Sequence, residues 1–162
     1  MLTHRTLRTL LIYDQNTGIF TWRIDRHGKA KKDSVAGTAN DKYIRIMVDK
    51  RRHLAHRLAW FYVHKNWPDQ QIDHINGNGS DNRIINLRLA NNFQNQQNVG
   101  VKRTNTSGFK NISFNKKHNQ FTVAIRANGK EVFVGLFKDV ELAKRAAQKA
   151  RLKLSGEFAR DE

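Results

Sequence analysis

Cysteine is missing from the 162-residue sequence, proline occurs once, acidic residues are outnumbered about two to one by basic ones, and no apolar stretch is long enough to span a bilayer. Without cysteine the chain forms neither disulfides nor the thiolate zinc knuckle that braces some small domains, which fits a reducing compartment. Without a long apolar run it is expected to be soluble, with no membrane partner. The opening residues, Met1-Leu2-Thr3-His4-Arg5, lead into no apolar h-region and no small-residue cleavage site, so no export signal is read and a cytoplasmic location is expected.

The formal net charge is +16 and the sequence pI is about 10.6. A charge of that size on so short a chain opposes compaction unless a polyanion balances it, and nucleic acid is the leading candidate. Residues 1–72 carry 14 Lys and Arg against 6 Asp and Glu, residues 73–100 carry 2 against 2, and residues 101–162 carry 14 against 6. Two basic flanks thus enclose a neutral window. A purely electrostatic binder has no reason to spare its centre, whereas a site for a divalent cation is weakened by fixed positive charge around it.

The pattern along the chain is mixed α+β. Residues 18–24 alternate as a strand and lead into a basic loop at 26–33; residues 43–48 and 52–54 form a second strand pair, joined by Asp49-Lys50-Arg51. Residues 55–65 have the apolar spacing of a helix that stops before Trp67-Pro68. A short buried strand at 72–75 runs into the polar loop 76–82, order returns over 83–89, and 91–98 suits a short helix. Residues 99–107 lack apolar periodicity and mark a linker. Beyond it, strand-like runs at 109–114, 120–126 and 131–136 precede one helix with Asp139 as N-cap and an apolar stripe of Val140, Ala143, Ala146, Ala147, Ala150 and Leu154. The expected domains are therefore 1–98, a linker at 99–107, and 108–159.

The residues that can carry chemistry concentrate in the neutral window. Asp73 and His74 are adjacent at the end of the predicted strand, before a loop rich in Gly and Asn. They offer a carboxylate oxygen for a hard cation and an imidazole for proton transfer. The whole run from Ile72-Asp73-His74-Ile75 through Asn82-Arg83 and Asn86-Leu87-Arg88-Leu89, continued by Asn92-Phe93-Gln94-Asn95, resembles the His-Asn-His nucleases, particularly those of bacteriophages and their intron-encoded homing enzymes. The resemblance implies a ββα-metal core over about 70–98, with Asp73 as a metal ligand and His74 as the general base toward water. It makes Asn86 the asparagine that ties the loop and holds the imidazole, and Asn95 the second metal ligand where many members have histidine. An amide oxygen suits a hard ion and not zinc, so one Mg²⁺ per site is implied, with Mn²⁺ as a substitute and no small-molecule cofactor. Arg83 and Arg88 read either as phosphate contacts or as surface arginines. His56, in His56-Arg57-Leu58, which looks like a stretch that precedes the motif in such phage proteins, reads either as a phosphate contact or as a packed helix histidine.

Residues 109–158 resemble the AP2 domain, a three-stranded sheet backed by a helix, through Ser107-Gly108-Phe109-Lys110-Asn111-Ile112-Ser113-Phe114, residues 120–126, Val134-Gly135-Leu136-Phe137 and Leu154-Ser155-Gly156-Glu157-Phe158. Alternation points Ile112, Phe114, Phe121, Val123, Ile125, Val132, Val134 and Leu136 toward the helix and leaves Asn111, Ser113, Asn115, Thr122, Ala124, Arg126 and Phe133 on an open face. Lys110, Lys116, Lys117 and Lys130 are expected to hold phosphates, and Arg126, Asn115 and Phe133 to meet bases; Ser113 stands where plant relatives often carry arginine. The expected partner is double-stranded DNA, nicked or cut by a monomeric, metal-dependent endonuclease in the cytoplasm of a host cell. A non-catalytic DNA-binding regulator is the main rival, and a charge-only packaging protein would leave the motif order unexplained.

Overall fold

The computed structural model describes residues 2–28, 30–101, 105, 107–127 and 129–160. The chain divides into two compact units, Met1–Leu89 and Ala90–Glu162. The division falls ahead of the segment read as a linker, of which residues 102–104 and 106 lie outside the described residues. Among the described residues four helices and several small sheets make a mixed α+β architecture, and no helix is long and apolar enough to cross a membrane.

The first unit opens with a helix that the periodicity did not reveal, α1 (His4–Leu10), capped by the Thr3 hydroxyl, which accepts from the Thr6 amide. It leads directly into β1 (Leu11–Tyr13), antiparallel to β2 (Phe20–Trp22). The strand predicted over 18–24 is therefore real but shorter, and its partner lies upstream. A three-stranded antiparallel sheet follows, β3 (Thr38–Asn40), β4 (Tyr43–Val48) and β5 (Arg51–Leu54), in that spatial order. Asp49 and Lys50 both adopt positive φ in the two-residue turn between β4 and β5, the backbone of a type I′ hairpin.

Next comes α2 (Ala55–His64), which ends because Lys65 turns into the left-handed region and returns its amide to the Phe61 carbonyl. Pro68 is thus not the direct stop. Leu58, Ala59 and Phe61 of α2 close the core over Leu7, Leu11, Phe20, Ile46 and Val48. After α2, β6 (Gln71–His74) and β7 (Leu87–Ala90) form a two-stranded sheet joined by the 76–82 loop and a 3₁₀ turn, Ile84–Asn86.

In the second unit, α3 (Asn92–Gln97) begins with a reciprocal capping box between Asn91 and Gln94. A three-stranded antiparallel sheet has β9 (Gln120–Ala127) at its centre, flanked by β8 (Ile112–Asn115) and β10 (Lys130–Phe137). Asn128 of the expected Asn-Gly turn lies outside the described residues. The sheet packs on α4 (Val140–Ser155), whose N-cap is Asp139, accepting from the Leu142 amide at 2.9 Å. Ile112, Val123, Ala143 and Ala147 form the core, with Phe109, Phe121, Val134 and Phe137 beside them.

One face assignment changes. A bulge between Phe133 and Gly135 shifts the register of β10, so Phe137 and not Leu136 joins the core; Leu136 pairs with Thr122 and is 55% exposed. One extra residue reverses the alternation beyond it. Val132, expected inward, is also largely outside the core.

Candidate active site

The end of β6 carries the candidate centre, and all of its last three residues are buried: Ile72, Asp73 and His74. Simple alternation would expose one of them; the 76–82 loop covers the strand end instead. Asp73 is 4% exposed, and its Oδ2 accepts from Arg88 Nε at 2.9 Å across to β7. Arg88, read as a phosphate contact or a surface residue, is largely enclosed and serves as counter-ion to Asp73.

Asn86 is buried and bonds to several groups of the loop. Its Nδ2 donates to Asn76 Oδ1 at 3.0 Å and to the Asp81 carbonyl at 2.8 Å, its Oδ1 accepts from the Asn76 amide, and its own carbonyl accepts from the Ile75 amide. One buried amide thus satisfies both ends of a loop that starts one residue after His74. Asp81 holds Arg83 in a two-point ion pair, 2.8 Å from Nε and 2.6 Å from NH2, so the second candidate phosphate contact is already engaged within the loop.

His74 is 5% exposed and sits among other rings: His56 lies perpendicular to it with centroids 4.9 Å apart, and Tyr43 is tilted at 5.9 Å. Burial lowers the His74 pKa from the ordinary histidine value, opposed by a hydrogen bond with the Asn82 side chain and by the Asp73 and Asp81 carboxylates. His56, at the start of α2, is equally buried, and burial pushes its pKa down to about 3, helped by nearby His74 and Arg57. Its Nδ1 is enclosed with no hydrogen-bond partner among the described residues. Both rings are therefore neutral near pH 7, the form in which His74 can accept a proton.

Several residues of this centre carry no signal in the sequence. Asn82, 1% exposed, is one of seven polar or glycine residues in a loop without periodicity, yet its carbonyl accepts from the Tyr13 hydroxyl at 2.6 Å. Gly18 at positive φ packs so closely that a Cβ would strike the backbone of Asn82 and Arg83. Gly79 abuts the Lys42 carbonyl and the Tyr43 ring in the same way. The β1–β2 hairpin and the start of β4 therefore wedge the loop from two sides.

Asn95 lies on α3 in the second unit. Of the residues expected to meet DNA in that unit, Ser113, Asn115, Lys116, Lys117, Arg126, Lys130 and Phe133 are exposed, Phe133 by 63%. Asn115 also caps the turn after β8, its Oδ1 accepting from the Lys117 and His118 amides. Lys110 departs from expectation. Its Nζ donates to the carbonyls of Gln97 at 2.6 Å and Arg160 at 3.0 Å, so this ammonium joins segments of the unit together rather than facing a phosphate. Arg151, on the otherwise apolar stripe of α4, is buried for a related reason, donating to the Lys110 carbonyl.

Among the described residues, no three His, Cys, Asp or Glu side chains converge as a metal cage. The donors at the end of β6 are the Asp73 carboxylate and the His74 imidazole. Such a set fits a hard divalent ion that keeps much of its shell as water and phosphate oxygen, and does not fit a closed structural zinc site.

The model of an HNH endonuclease family matches residues 53–97, the stretch that includes the buried Asp73–His74 pair and the asparagine-tied loop. The chain belongs to that family. It is also similar to Protein 3.8 of Escherichia phage T7, with 35% identity over 91 residues that cover 55% of this chain and 73% of the phage protein. No solved structure matches the chain significantly.

Proposed function

We propose that the chain is a metal-dependent DNA endonuclease in which His74 is the general base, Asn86 its positioning residue, and Asp73 a protein ligand of one Mg²⁺ ion. The observation that carries the reading is the burial of neutral His74 beside Asp73, over a loop that Asn86 ties at both ends. When bound, the ion supplies charge neutralisation at the scissile phosphate and the departing 3′ oxygen. His74 takes one proton from the attacking water as the new P–O bond forms and the P–O3′ bond breaks. Asn86 fixes the strand end that presents the ring. Packing of His74 against His56 and Tyr43 restricts its tilt, so little orientation remains to be found at the moment of attack.

The β6–β7 pair followed by α3 supports a ββα-metal reading of this region. The three strands and α4 of the second unit support an AP2-like reading, with Ser113, Asn115, Arg126 and Phe133 toward bases and Lys116, Lys117 and Lys130 toward phosphates. On this reading the protein nicks duplex DNA as a monomer.

Supercoiled plasmid incubated with Mg²⁺, with chelator, and with His74→Ala tests the mechanism. Relaxation or linearisation in Mg²⁺ alone, lost with chelator and in the variant, is expected. Cleavage that survives His74→Ala would falsify the assigned base. Binding with no cleavage of any DNA would favour the non-catalytic regulator.

A further inference from the structure

The outer face of the β3–β5 sheet holds a cleft that the catalytic reading does not use. On β4 the residues Tyr43, Arg45 and Met47 alternate with the inward Ile44, Ile46 and Val48, so they share one face. Across the register, Thr38 stands beside Arg45, and Arg52 beside Met47. These side chains and Trp22 surround a cleft of about 380 Å³ that Val35 also lines. Val35 and Met47 are exposed apolar groups on it.

Two guanidinium groups at this place are incompletely satisfied. Arg45 Nε and Arg26 NH1 are enclosed, yet neither has a hydrogen-bond partner among the described residues. Arg26 lies over the Trp22 ring, 5.1 Å from its centroid, which fixes the cation beside the cleft without using its N–H groups. Enclosed charged donors without acceptors are costly, and an incoming anion removes the cost. Arginine presents planar paired donors that match phosphate oxygens.

We infer that this cleft is a nucleotide-binding extension of the active site, taking a phosphodiester of the DNA strand on Arg26, Arg45 and Arg52 and its sugar or base against Val35 and Met47. It rests on the nuclease reading for the choice of DNA over a free nucleotide. The placement supports that choice: Tyr43, which touches the His74 ring, is two residues from Arg45, about 7 Å along the same strand. A strand leaving the scissile phosphate along β4 would meet the cleft next.

The test measures binding of a fluorescent duplex by anisotropy in chelator, where cleavage plays no part, across a salt series. The full-length double variant Arg26→Gln/Arg45→Gln is compared with the charge-matched Lys50→Gln/Arg51→Gln at the β4–β5 turn. Arg52→Gln, on an exposed position, serves where the double variant melts early. Roughly tenfold weaker binding at low salt is expected for the double variant, with the salt slope smaller by about one per arginine removed and the melting temperature kept. Unchanged affinity and slope, or an equal loss in the charge-matched control, would overturn the inference. Stabilisation of wild type but not of the double variant by dAMP alone, with duplex affinity equal in both, would overturn it in favour of a free-nucleotide site. A protein that shows the expected binding loss but never cleaves DNA would refute the nuclease reading and leave the DNA-binding cleft standing.

Discussion

Burial, more than any neighbouring charge, sets the protonation of the two histidines that face each other from the end of β6 and the head of α2. Because the His74 pKa is lowered, the acid limb of the log(kcat/KM) profile should lie below the ordinary histidine range near 6.5. A limb at or above that value would contradict a buried base. His56 makes a stability prediction. Its folded pKa, about 3, is depressed below its unfolded value, so the unfolded chain binds the extra proton between the two. Stability is then full above about pH 6.5 and falls as the pH drops toward 3. His56→Gln should reduce the slope of unfolding free energy in that window by about 1.4 kcal/mol per pH unit, measured by urea titration at several pH values. Arg88 makes a third. With its guanidinium on Asp73, it neutralises a buried carboxylate and competes with any cation for it. Arg88→Met should destabilise the chelator-treated protein by about 3 kcal/mol and bind Mg²⁺ more tightly by calorimetry; weaker Mg²⁺ binding would show that the pair does not compete.

At the scale of elements, Gly79 is one of the residues through which the loop touches the start of β4. A methyl group there meets the Lys42 carbonyl and the Tyr43 ring, so Gly79→Ala should push the loop off its seat. Cleavage should fall by at least about tenfold while the melting temperature moves by only a few degrees, because the displaced loop lies outside the core; a large drop in melting temperature with normal specific activity would refute this. Elements with their own periodicity were legible in the sequence. β9, β4, α2 and α4 lie close to their expected bounds because each shows one clean apolar face. The Asp73, His74 and Asn86 set was legible only as a spaced motif. What escaped has no local signal. α1 buries Leu7 fully but is only seven residues long, too short for a stripe to stand out. The β10 bulge is a property of pairing, and nothing in Phe133-Val134-Gly135 announces a reversed parity. Lys110 and Arg151 look like surface charges until carbonyls distant in sequence come to meet them.

For the whole molecule the dominant quantity is a net charge of +16, distributed as two basic flanks about a neutral window. Salt screens the flanks, which set encounter with DNA, far more than a buried centre. Raising NaCl should therefore increase KM steeply and leave kcat nearly level in plasmid-nicking kinetics; parallel losses in both would mean that the flanks also shape the bound transition state. The bond from Tyr13 to the Asn82 carbonyl joins positions 69 residues apart, and Gly18 fits against the same spot. In terms of folding order, a closure of such sequence separation is expected to come late. A ribosome must release almost the whole first unit before the opening hairpin can dock on the loop. The candidate centre is then among the last parts of the unit to form, and a chain interrupted before that closure has most of its strands and an incomplete site.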